Sequence, residues 1–201
     1  MVAVVDSDPV DGRHARRERN RIAVLDAVIE LFATNTLIPS VDEVAKRSGL
    51  SLRSVYRYYE DLGALLHAAI ERSMEKAAPL LRIDGIGTGP LDQRIGAFVD
   101  ARLRLHERTA SSFRATIHHS SHNKPMADAL VTARRALRAQ LERQFEPELS
   151  RLDPVPRMRL VRAADVLTRF EAIEALRIGD SLSKAETKAV LAVGMHALLA
   201  S

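Results

Sequence analysis

The chain has 201 residues, enough for one generous domain or for a small domain joined to a larger one. Hydrophobic residues make up 46% and aromatic residues only 4%, without Trp, which disfavours a sheet-rich fold; Cys is absent, which excludes disulfides and thiolate metal sites. Thirty Lys and Arg against 26 Asp and Glu leave a net charge of +4 at pH 7, a mild basicity that names no partner by itself.

Ala, Leu and Arg dominate, all good helix formers, so the expected class is all-α. The opening residues 1–16 carry Asp, Pro and Gly without a periodic apolar face and read as a disordered arm. From Arg13 to Arg21 five arginines face a single acid, Glu18. This block, with Arg16 and Arg17 at its centre, fits either an arm that follows a phosphate backbone or a solvated tail. The order of charges in MVAVVDSDPVDGRHARR is not that of a signal peptide, and no apolar run approaches the roughly 20 residues that span a bilayer. A cytoplasmic address without a membrane is expected.

A first helix is predicted from Arg17 to Thr34, with Ile22, Leu25, Ile29 and Phe32 as its apolar stripe. Residues 35–40 form a turn closed by Pro39, and Ser40 is placed to cap a second helix carrying Val41, Val44 and Ala45. Gly49 ends that helix, because a residue without Cβ takes positive φ after the last turn. Ser51 caps a short third helix, Leu52 to Tyr58, too short to be stable alone. Leu52, Val55 and Tyr59 form its packing edge, while Arg53, Ser54, Tyr56, Arg57 and Tyr58 turn mostly outward. Guanidinium, hydroxyl and aromatic groups on one exposed helix suit a duplex groove. The stretch from Val41 to Tyr58 therefore reads as a helix-turn-helix with a recognition helix.

A fourth helix starts near Asp61 and runs to Pro79. The Gly-rich stretch 84–90 lacks the GxxxxGK[ST] pattern of a phosphate loop and reads as an interdomain connection. Beyond it the texture is helical: Leu91 to Leu105, a shorter element from Ala110 to His119, and a long helix opened by Pro125. Pro147, Pro154 and Pro156 bracket a break in the chain. Two last helices follow, Arg157 to Ile178 and Leu182 to Leu199, and the first of them is apolar on two faces. A surplus of apolar surface, with Gly194 and several alanines allowing close approach, points to a homodimer through these two helices.

The first 70 residues resemble the TetR family of one-component transcriptional regulators. The resemblance rests on the apolar first helix, on Val44-Ala45-Lys46-Arg47-Ser48-Gly49-Leu50-Ser51, on Ser54-Val55-Tyr56-Arg57-Tyr58-Tyr59 and on Ala64-Leu65-Leu66. It covers about a quarter of the chain, Arg19 to Ile70. It departs from the family at Leu62, where a phosphate-binding Lys is usual. The resemblance implies a helix-turn-helix DNA-binding domain at 17–66 and an effector-binding and dimerisation domain at 67–201. It further implies a double-stranded, pseudo-palindromic operator and release by a small-molecule effector of unknown identity, as in a repressor. Arg53 and Arg57 would reach bases or phosphates, and Ser40, Ser51, Ser54, Tyr56 and Tyr58 would fix register on phosphates.

Phe98, Phe113, Met126, Phe145 and Phe170 are either plain core or the lining of an effector cavity, with Arg102 and Glu171 as its polar groups or as halves of ion pairs. His106, His118, His119 and His122 lack ligand spacing and a carboxylate partner, so no metal or cofactor is expected. Serines near these histidines have no nucleophile turn around them, which speaks against an enzyme. A second reading, a helical carrier or interaction module that does not read DNA, stays open. It rests on Leu62 and on the nine Lys and Arg against nine Asp and Glu in the first 60 residues.

Overall fold

A computed structural model describes residues 9–34 and 38–200. The described residues are helical, without a strand among them: α1 (Pro9–Thr34), α2 (Val41–Ser48), α3 (Leu52–Tyr58), α4 (Leu62–Ala77), α5 (Leu91–His119), α6 (Lys124–Gln144), α7 (Glu146–Leu149), α8 (Pro154–Leu167), α9 (Phe170–Glu174) and α10 (Lys184–Leu199). The chain divides into two compact units, one made of residues up to Ser73 with Ser111–Ala127, the other of Met74–Ala110 with Asp128–Ser201.

In the N-terminal unit α1 begins at Pro9, so residues 9–16 are helical instead of the irregular arm the composition suggested. Proline is at home in a first helical turn, where its missing N–H costs nothing, and the arginines that follow are good helix formers. Residues 1–8 of that arm, and residues 35–37 of the predicted turn, lie outside the described residues. Val24, Val28 and Phe32 of α1 meet Val44 and Ala45 of α2, Val55 of α3 and Leu65, Leu66 and Ala69 of α4. Each large side chain buried here contributes roughly 1.5–3 kcal/mol. Arg72 of α4 grips Asp26 of α1 through two hydrogen bonds, Nε to Oδ1 at 2.7 Å and Nη2 to Oδ2 at 3.0 Å. Ala115 and Met126 belong to this core as well, which is why Ser111–Ala127 joins a unit that the sequence would end near residue 66.

The C-terminal unit is built around Phe98 and Phe145, fully buried rings whose centroids lie 5.3 Å apart at 73°. Ile95, Leu141, Leu149, Val161, Ile173, Leu191 and Met195 surround them. The glycine stretch is fastened inside this unit and does not connect the two. Gly87 N–H donates to Gln144 Oε1 at 3.0 Å, and Arg94 Nε donates to the Gly89 carbonyl at 3.0 Å. Gly87 has φ +78°, and a Cβ there would stand 2.9 Å from the Arg143 carbonyl, so backbone approach demands glycine. Arg94 and Glu148 close the arrangement as a buried ion pair, with Arg94 Nη1 2.6 Å from Glu148 Oε2.

Two elements differ from expectation. Residues 91–119 form one helix, and the hydroxyls of Thr109 and Thr116, each bonded to the carbonyl four residues back (both 2.8 Å), do not interrupt it. Conversely, the predicted helix 157–178 breaks after Leu167, where Thr168 N–H and Oγ1 both take the Ala164 carbonyl; it resumes as α9 and widens into a π-type turn at Ala175–Gly179. Where α8 packs on α10, a Cβ on Gly194 would lie 2.6 Å from Leu167 Cδ2, so the close approach at Gly194 is made between two helices of the same chain.

Candidate nucleic-acid interface

Both caps of the helix-turn-helix form as their residues dictate. Ser40 Oγ accepts from Glu43 N–H at 3.3 Å while Glu43 Oε2 accepts from Ser40 N–H at 2.8 Å, a reciprocal capping box. These hydrogen bonds from Ser40, backbone first, hold the exposed Glu43 carboxyl below its usual range. Gly49 takes φ +70° and sends its N–H back to Ala45 and Lys46, ending α2. Ser51 Oγ accepts from Ser54 N–H at 3.2 Å and starts α3. The two helices are thereby held by bonds that need no DNA.

α3 buries Val55, and Tyr59 beyond its end is buried too. Arg53, Tyr56 and Arg57 are exposed, Tyr56 at 52%. Leu52, expected on the packing edge, is itself exposed at 39%, at the first position of α3. Tyr58 differs in the opposite sense. It is half-buried against the core, and its phenol oxygen accepts from Arg57 Nη2 at 3.0 Å and from Asn20 Nδ2 at 3.4 Å. The Asn20 bond leads, followed by the Arg57 bond and the charges of Arg57 and Arg17, in holding the phenol below its ordinary pKa against partial burial. Burial instead pushes the Tyr59 phenol up, and it donates to the Arg21 carbonyl at 3.4 Å.

Tyr58 thus joins α1 to α3, bringing Asn20 and Arg57 together at its phenol, where the charge of Arg17 is also felt. Asn20 was not singled out in the sequence; its place three residues after Arg17, on the same helical face, is the one signal that could have found it. Arg16 and Arg17 are both exposed on α1. Leu62, in place of the usual Lys, packs against the N-terminal core, and Asp61 caps α4 through Oδ1 to Ala64 N–H at 2.8 Å.

The residues suggested for an effector cavity fall in different places. Met126 is core of the N-terminal unit, and Phe113 belongs to that unit too. Phe98, Arg102, Phe145, Phe170 and Glu171 belong to the other. There Phe98 and Phe145 are core, Glu171 pairs with Arg134, and the Phe170 ring lies 5.0 Å from the ring of His106. His106 does have a carboxylate partner, Glu174 at 2.6 Å, which its place 68 residues further along the chain hid from the sequence. Among the described residues no group of three His, Cys, Asp or Glu side chains could hold a metal ion.

No protein-family model matches the sequence. It is 29% identical over 150 residues to the HTH-type transcriptional regulator BetI of Escherichia coli O17:K52:H18 (strain UMN026 / ExPEC), covering 71% of this chain and 75% of that protein. The fold matches a tetR-family transcriptional regulator from Streptomyces coelicolor with a TM-score of 0.75 at 21% identity, over 91% of this chain and 81% of that one. A transcriptional regulator from Pseudomonas aeruginosa PAO1, described as putative, aligns over 92% of both chains with a TM-score of 0.71 at 16% identity. GusR of Salmonella enterica aligns over 91% of this chain and 96% of its own, with a TM-score of 0.63 at 20% identity.

Proposed function

We propose that this chain, whose fold is that of the TetR-family transcriptional regulators, acts as a homodimeric repressor that reads a pseudo-palindromic operator and is released by a small molecule. One observation carries the DNA-reading part: α3 is anchored through Val55 and Tyr59, while Arg53, Tyr56 and Arg57 are exposed on its outer face. Two such helices, one per subunit, would enter successive major grooves, with Arg53 and Arg57 on bases or phosphates and Ser40, Ser51, Ser54, Tyr56 and Tyr58 setting register. Arg16 and Arg17, on the exposed side of α1, would extend the contact along the backbone.

Dimerisation is supported by the apolar side chains left exposed on α8 (Val155, Met158, Val166) and α10 (Val190, Val193), too many for a helix pair meant to face water. The effector would bind the C-terminal unit and act through differential affinity for two arrangements of the dimer, since equal affinity shifts nothing. Among the described residues no helix is long and apolar enough to cross a membrane, in keeping with a cytoplasmic regulator.

Selection of bound sequences from a random duplex pool tests the reading. The recovered site should be two-fold symmetric, and Arg57→Ala or Tyr56→Ala should weaken binding to it about tenfold or more at fixed salt, with the dimer intact. Failure to enrich any sequence, or unchanged affinity in both variants, would reject it.

A further inference from the structure

Four ionisable side chains are buried in the C-terminal unit: Arg94, Arg102, His106 and Asp165. Three of them have a counter-ion. Arg94 is paired with Glu148, His106 with Glu174, and Asp165 Oδ2 takes hydrogen bonds from Arg138 Nη2 and Arg169 Nη2, both at 2.8 Å. Arg102 has none. Its exposure is 3%, and its partners are all neutral: Gln140 Oε1, which accepts from Nη1 at 2.8 Å, the Leu137 carbonyl, which accepts from Nη2 at 2.7 Å, and the Phe98 ring, 4.4 Å from the guanidinium carbon. A guanidinium has five N–H donors, of which two are engaged here.

A buried cation without an anion is costly, and removing it is often neutral or stabilising; proteins keep such a group where something else supplies the charge. The surroundings show the same donor surplus. Arg134 Nε and Arg169 Nε are buried without an acceptor, and Arg134, Arg138 and Arg169 share only Asp165 and Glu171 between them. Burial draws the Arg102 pKa down to about 10, while the charge of Asp165 opposes that only in part.

We infer that Arg102 is the anchor for an anionic ligand of the C-terminal unit: a monocarboxylate with an apolar body, its carboxylate on the free edge of the guanidinium. One unpaired cation balances one negative charge, which disfavours phosphate dianions. A planar carboxylate matches the guanidinium fork. The Phe98 ring against the guanidinium is fully buried and belongs to the apolar core of this unit, so the remainder of the ligand must be apolar too. This rests on the effector reading above and gives that effector a chemical class.

Octanoate and benzoate, each beside its uncharged amide, are the probes, titrated into the full-length dimer by calorimetry. The Arg102 Nε–H resonance is followed in parallel by ¹⁵N correlation spectroscopy. At least one carboxylate should bind about 10- to 100-fold more tightly than its amide, the weight of a charge-assisted hydrogen-bond pair, and should shift the Arg102 resonance. Arg102→Met should fold with equal or greater stability and lose the preference for the acid; Arg102→Lys should keep only part of it. The wild-type comparison of acid with amide stands even if neither variant folds. Equal binding of acid and amide, no binding of either acid, or a preference that survives in Arg102→Met would overturn the assignment. Operator affinity is read separately. If acid binds at Arg102 but leaves operator affinity unchanged, the ligand site stands and the release mechanism falls. If no acid binds while operator binding persists, the reverse holds.

Discussion

The Arg57 guanidinium lies 5.1 Å from the centroid of the Tyr58 ring and donates from Nη2 to the phenol oxygen at 3.0 Å. The contact is between neighbours in sequence, yet its purpose is set from outside α3, because Asn20 of α1 donates to the same oxygen. A long, rotamer-rich side chain is thereby held before any DNA arrives, which lowers the entropy lost on binding. Tyr58→Phe keeps the ring and removes the oxygen. Operator affinity should fall about 5- to 10-fold, the weight of about one hydrogen bond, with little change in urea stability. Equal loss in both measurements would mean that Tyr58 serves only the core.

Gly49 tests the turn between α2 and α3. A Cβ there would meet nothing within 4 Å, so the penalty for Gly49→Ala comes from the backbone at φ +70° alone. It should be roughly 1–2 kcal/mol, seen in denaturant melts. Asn at the same position, tolerant of this conformation, should recover most of it.

Gly194 is limited by space. Valine there gains a few tenths of a kcal/mol of helix propensity over glycine but must displace Leu167 Cδ2, which would lie 2.6 Å from the new Cβ. The clash should win, with a loss of about 1–3 kcal/mol. Leu167→Ala in the same chain should make the combined loss smaller than the sum of the two single losses, and a double-mutant cycle reads that coupling directly.

Arg94 and Glu148 give the C-terminal unit a pH dependence. The hydrogen bonds from Arg94 hold the Glu148 carboxyl below the ordinary glutamate range. A depressed folded-state pKa means that its stabilisation is complete above the unfolded value, about 4.3, and is lost as pH falls through the lower folded value. Glu148→Gln should therefore cost about 3–5 kcal/mol at pH 7, by stranding Arg94. The difference from the parent should begin to shrink below about pH 4 and close only below the depressed folded-state value, where both chains carry a neutral side chain at this position. A gap that stayed constant from pH 7 to pH 3 would show that the charge is not what matters.

Val193 is 71% exposed on α10, and Val166 is 56% exposed on α8. In a dimer joined through these helices, Val193→Asp would bury a carboxylate twice across the two-fold axis. Sedimentation should then show monomer in place of dimer at micromolar concentration, with helicity by circular dichroism unchanged. Operator binding should weaken along with it, since two half-sites would no longer be read together.

The sequence alone determined those features that are settled within a turn or two of chain. Ser40 with Glu43, Ser51 with Ser54, and Gly49 after Ser48 start and stop helices through hydrogen bonds between near neighbours, so spacing reveals them. The order of the helix-turn-helix was legible for the same reason, but the apolar stripe of α1 only in part: Leu25 and Phe32 are buried as predicted, whereas Val24 and Val28, more deeply buried still, were not in the predicted stripe. Only the tertiary structure decided that Tyr58 is braced by Asn20, that Ser111–Ala127 belongs with the N-terminal core, that the glycine loop is stitched to Gln144 and that His106 faces Glu174. It also decided that Arg102, alone among the buried charges of its unit, has no counter-ion. These facts depend on which distant side chains share a low-dielectric interior. Helical periodicity says which way a residue points along its own helix, and nothing about the residue that meets it there.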